Sequence, residues 1–97
     1  MTRGFTRHEI AQILELDEEF VAALERESIL FVDTPGSQAE FSRRMLDRAR
    51  VAHSLVEELE INLAGVAVIL RMREDLGRLR ANLRSLGEVL RERNVRP

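Results

Sequence analysis

A chain of 97 residues has the length of one domain and is too short for two; folding at that length buries only about 60 to 65 % of the surface the unfolded chain exposes, so burial against a partner would add stability. Apolar residues make up 44 % and charged residues 33 %, and 17 acidic against 15 basic side chains leave a net charge of −2, which excludes disorder driven by charge. Cysteine is absent, which excludes disulfides, thiolate metal sites and cysteine nucleophiles and fits a reducing cytoplasm, while no apolar run approaches the length of a membrane span or a signal-peptide core.

All fifteen basic residues are arginine. Residues 1–27 carry three of them against seven acids, residues 28–41 none against two, and residues 42–97 twelve against eight, so the chain is acidic first and basic later.

Thr6-x-x-Glu9 is a capping box, in which each side chain satisfies a backbone N–H that the helix itself leaves unpaired; it predicts a first helix ending near Leu14 to Leu16. Phe5 and Ile10 have the spacing of a hydrophobic staple, and Ile10, Ile13 and Leu14 form one apolar face. Asp17 predicts the cap of a second helix, with Glu18 and Glu19 complementing the positive end of its dipole. Placing Phe20, Ala23 and Leu24 inward turns Glu18, Ala22, Glu25 and Arg26 outward, and the short connection between the two helices has helix-turn-helix geometry. Ile29 to Val32 are strand formers, Asp33 to Ser37 read as a turn, and Phe41 returns to apolar, so residues 29–41 predict a small strand-turn-strand wing.

Ser42 caps a third helix, along which Met45, Leu46, Ala49, Ala52, Leu55, Val56 and Leu59 recur at helical spacing. Asn62 caps a fourth, where Ile69, Met72, Leu76, Leu79, Leu83, Leu86 and Leu90 alternate three and four apart as an a/d heptad seam. From Leu63 to about Arg93 such a helix is about 46 Å long, against a radius of gyration of about 13 Å for a compact domain of this size. It therefore projects, and its leucine stripe needs a cover, most economically the same helix of a second copy. The expected fold class is mostly all-α: a winged helix-turn-helix over residues 1–61 with a small β wing, then a C-terminal dimerising helix over residues 62–97, together a single compact unit.

Nothing in the residue pattern assembles a catalytic centre. His8 and His53 have no metal partner at recognisable spacing, the adjacent acids Glu57-Glu58 and Glu74-Asp75 point about 100° apart on helices, and the glycines form no phosphate-cradling loop. The expectation is a non-enzyme without metal or cofactor, placed in the cytoplasm. DNA binding has the right shape but the wrong charge: the outward face of the second helix would bring two carboxylates and one arginine to a polyanion, and the wing adds Asp33 and Glu40 without an arginine. Arg43, Arg44, Arg48 and Arg50 on the third helix keep phosphate contacts open.

The order of elements resembles the MerR-like winged helix family, and the segment LEINLAGVAVIL from Leu59 to Leu70 is similar to that family's passage into its last helix. Within it, the chain resembles the short acidic chaperone modulators (CbpM) over nearly its whole length: Leu16, Asp17, Glu18, Glu19 and Phe20 match the opening of the second helix, Phe41 the aromatic residue opening the third, and Leu76 to Leu90 the leucine-rich ending. Ser28 departs from the pattern, standing where a glycine commonly follows the second helix. The resemblance implies a homodimer that binds the J-domain of a DnaJ/CbpA-type co-chaperone and inhibits its stimulation of the Hsp70 partner (DnaK). The runner-up is a MerR/HspR-like DNA-binding transcriptional regulator. J-domains of that family present a basic helix, so the net −6 of residues 1–41 is a plausible complement, with Asp17, Glu18, Glu19 and Glu25 as the partner-binding residues; the same acids also read as helix caps and solubilising charge.

Overall fold

The computed structural model describes residues 4–33 and 40–94. Four helices follow one another, α1 (Arg7–Leu14), α2 (Glu18–Arg26), α3 (Arg43–Leu59) and α4 (Leu63–Asn94). The described chain is mostly helical and contains no sheet.

The capping box opens α1 as the spacing requires: the Glu9 N–H donates to Thr6 Oγ1 at 3.1 Å, and the Thr6 N–H donates to Glu9 Oε1 at 2.9 Å. Ile10 is fully buried with Phe5 packed beside the core, but the inward face of α1 runs through Ala11 while Ile13 is exposed. Of the expected face, Ile10 and Leu14 do pack into the core, and Ala11, too small to weigh in a hydrophobic pattern, is buried in place of Ile13. Glu15 ends α1 in the left-handed region, φ 56°, which turns the chain into α2 within three residues.

In α2 the buried positions are Val21 and Leu24, with Phe20 and Ala23 half-buried rather than central. Asp17 stands at the N-cap with extended backbone, but its side chain makes no capping bond, unlike the expected cap; its carbonyl oxygen takes the first helical N–H groups instead. Beyond α2 the expected first wing strand is absent: Ile29 and Leu30 are buried in the core, and both their N–H groups donate to the Leu24 carbonyl, at 2.9 and 3.2 Å. A run of strand formers here folds back under its own helix, because full burial of two large side chains outweighs strand propensity. Phe41, the expected second strand, pairs with Phe5 in an isolated antiparallel bridge, N–H to carbonyl in both directions at 2.7 Å. Among the described residues the wing is thus not a strand pair; most of its expected turn, residues 34–37, lies outside them.

Ser42 caps α3, its Oγ accepting the Met45 N–H, and Asn62 caps α4 through the Gly65 N–H at 2.8 Å. Met45, Leu46, Ala49 and Ala52 place α3 at the centre of the core; Leu55 and Val56 are half-buried, and Leu59, expected on the same face, is exposed at the helix end. Val66 and Leu70 are the buried residues of α4. The 32 residues of α4 span about 48 Å, so the molecule measures 62 × 35 × 19 Å with a radius of gyration of 17.7 Å. No helix among the described residues is long and apolar enough to cross a membrane.

Candidate partner-binding surface

Two surfaces follow from this arrangement, an acidic one on the α1–α2 pair and an apolar one along α4. On the first, the tight α1–α2 turn brings Asp17, Glu18 and Glu19 together at the start of α2, all exposed, around a shallow groove shared with His8, Gln12 and Leu16. His8 Nδ1 lies 2.9 Å from Glu18 Oε2, an exposed contact between α1 and α2. Glu19 points to solvent without a hydrogen bond or ion pair among the described residues.

Glu25 is placed differently. It lies on the same side of α2 as Glu18, but its side chain is only 28 % exposed and receives both arms of the Arg7 guanidinium, the Nη2 arm at 3.2 Å from Oε1. That hydrogen bond, and then the carboxylate charge, raises the pKa of the Arg7 guanidinium above its ordinary value. The four expected docking acids are therefore three exposed carboxylates, Asp17, Glu19 and Glu18 beside His8, and one already neutralised from α1. Sequence reasoning missed Arg7 as the partner of Glu25, since the packing of two helices, not their spacing in the chain, brings the two together. His53, on α3, stacks edge-on against Phe20, ring centres 5.7 Å apart at 82°.

The arginines at the start of α3 are largely committed within the molecule. Arg44 reaches Asp33 and Glu74, Arg48 reaches Glu74 and the Ile29 carbonyl, and Arg50 pairs with Asp47. Arg43 alone of the four has no such partner among the described residues. Neither the Asp33 and Arg44 pairing nor the role of Glu74 carried a local sequence signal, because each joins positions far apart in the chain.

Along α4, Met72, Leu76, Leu79, Leu83, Leu86 and Leu90 are 46–64 % exposed, an apolar stripe that continues past the head and takes no part in its core. Ile69, the expected first residue of the seam, is half-buried, while Val68 and Val89 add exposed apolar area beside the stripe. Isolated exposed leucines are ordinary, but a row of six on one face marks an interaction surface.

A family model described as MerR HTH family regulatory protein matches residues 5–88, from the bridge residue Phe5 through about four fifths of α4. A search of the curated proteins found no match.

Proposed function

The chain belongs to the MerR helix-turn-helix family of regulatory proteins, and from that premise we propose that it is a non-catalytic chaperone modulator of the CbpM kind, which binds the J-domain of a DnaJ/CbpA-type co-chaperone and inhibits its stimulation of Hsp70 (DnaK) in the cytoplasm. The observation that carries this reading is electrostatic. The helix that in a DNA-binding relative would enter the major groove here opens with three exposed carboxylates, and the arginines of α3 best placed for phosphates are mostly spent on internal acids. A basic helix of a J-domain is the partner such a face suits, and opposite charge would also speed encounter. In this reading residues 1–61 form the docking head and residues 62–97 the arm through which two copies pair, antiparallel along the α4 stripe, with neither metal nor cofactor taking part.

The deciding experiment is a pair of titrations by calorimetry, one against the isolated J-domain of a DnaJ/CbpA-type protein and one against duplex DNA. Saturable J-domain binding that weakens with added salt and is lost in Glu18→Arg/Glu19→Arg supports the modulator. Sequence-selective DNA binding without J-domain binding replaces it with the MerR/HspR-like regulator.

A further inference from the structure

One arginine on α3 ties together three parts of this fold. Arg48 leaves α3 with its side chain only 11 % exposed and meets three partners. Its Nε–H donates to the Ile29 carbonyl at 2.7 Å, its Nη1 donates to the Glu74 carboxylate on α4, and its guanidinium stands 5.5 Å from the centre of the Phe31 ring. Arg44, one turn earlier, repeats the reach, with Nη1 3.5 Å from Asp33 Oδ2 and Nη2 3.2 Å from Glu74 Oε2. Asp33 Oδ2 also accepts the Ser42 hydroxyl at 2.9 Å, which ties the same segment to the cap of α3. Two arginines of one helix thus hold, at the same time, the chain leaving α2 and the base of the projecting helix.

We infer that the Arg44, Arg48 and Glu74 cluster is a coupling device: it locks residues 29–33 to the base of α4, so that displacing either one loosens the hold on the other. The reason is the shape of a guanidinium. Its donors sit on one rigid plane, so the Ile29 carbonyl and the Glu74 carboxylate can both be satisfied only while their mutual position is kept. Because the Arg48 side chain is nearly buried, a donor that loses its protein partner gains little water in exchange. Glu74 sits one turn beyond Leu70, the last buried apolar residue of α4, so the cluster acts where the helix leaves the head. Coupling between two elements through a shared group is reciprocal, so binding near residues 29–33 and pairing along α4 influence each other. The inference rests on contacts within one copy and stands whatever the partner of the acidic face is.

Hydrogen exchange on the full chain tests it, with the Ile29 and Leu30 amides as probes because both are bonded to the Leu24 carbonyl. Glu74→Gln keeps the size of the side chain and removes its charge; it should speed exchange at Ile29 and Leu30 by about threefold to tenfold, a local opening in an element that it does not belong to. Phe31→Leu should in return speed exchange at residues 70–75. Asp75→Asn, which changes the neighbouring exposed acid paired with Arg78, should leave the Ile29 and Leu30 probes unchanged. Faster exchange confined to α4 in Glu74→Gln, or a uniform rise throughout the core, overturns the coupling. So does strict additivity of Glu74→Gln and Phe31→Leu in denaturant unfolding, since residues that share one clamp must interact.

Discussion

Arg7 and Glu25, eighteen positions apart, form a two-armed pair across the α1–α2 unit, with Nη2 3.2 Å from Oε1. The pair links α1 to the outer face of α2, and it occupies one of the four expected docking carboxylates. Under the proposed function, replacing Glu19 by Arg should weaken J-domain binding about tenfold or more, because attraction becomes like-charge repulsion at a free position. Replacing Glu25 by Gln should weaken it far less. Arg7→Ala, which frees the Glu25 carboxylate, should accelerate association at low salt. Stopped-flow or calorimetric titration of the three variants distinguishes the positions; an equal loss for Glu19→Arg and Glu25→Gln would move the contact off this face.

Ser28 follows α2 with φ 58°, in the left-handed region that a side chain disfavours by about 1 kcal/mol or more relative to glycine. Here the departure from the family pattern noted at this position coincides with backbone strain. Ser28→Gly should therefore raise stability by about 0.5–1 kcal/mol, the relief of strain being partly offset by the greater freedom of glycine in the unfolded chain. Urea unfolding measures it, and an unchanged or lower midpoint would show that the turn is held by its hydroxyl rather than tolerated despite it.

The opening of α1 offers a test with a different sign. Thr6 Oγ1 accepts the Glu9 N–H, and Glu9 returns the bond to the Thr6 N–H, so Thr6→Ala removes one acceptor and leaves its partner without a fixed orientation. The expected cost is about 1 kcal/mol, seen as a lower unfolding midpoint with unchanged cooperativity. Leu24→Ala, at a fully buried position whose carbonyl also anchors Ile29 and Leu30, should cost about 2–5 kcal/mol.

What was legible in the sequence was local chemistry. The four helices, the caps of α1, α3 and α4, and the heptad pattern of α4 rest on residues within a few positions of one another, where spacing alone decides which groups can meet. The wing was misread because Ile29 and Leu30 carry strand-forming side chains whose fate depends on a core supplied by α3 and α4, invisible at their own position. The inward face of α1 was legible at Ile10 and Leu14 but not at Ala11, which is buried yet contributes almost nothing to an apolar pattern. The acidic cluster of Asp17, Glu18 and Glu19 was legible because three adjacent charges at a helix start have nowhere to go but out. The Arg7–Glu25 pair and the Arg48 clamp were not, since each joins elements whose relative placement is set only by packing.

The stripe on α4 yields the remaining prediction. The seam from Met72 to Leu90 exposes six large apolar side chains along a helix that leaves the head, with Glu74 tied back to it by Arg44 and Arg48. Each leucine buried in a pairing would contribute about 1.5–3 kcal/mol if fully removed from water, and about half of that from its half-exposed starting state. Six such positions on each of two copies comfortably exceed the entropic cost of association at its lower estimates. The chain should therefore sediment as a dimer at micromolar concentration. Leu79→Glu with Leu83→Glu, at the middle of the stripe, should shift it to a monomer whose head still unfolds cooperatively, because neither residue touches the buried core. Gly77, with open space where a Cβ would stand, serves as the control: Gly77→Ala adds helix propensity of about 1 kcal/mol off the stripe and should strengthen the arm without changing the dimer. Sedimentation showing a wild-type monomer at such concentrations, or a double mutant still dimeric, would assign the stripe to another occupant; in the second case the pairing surface must lie on the head.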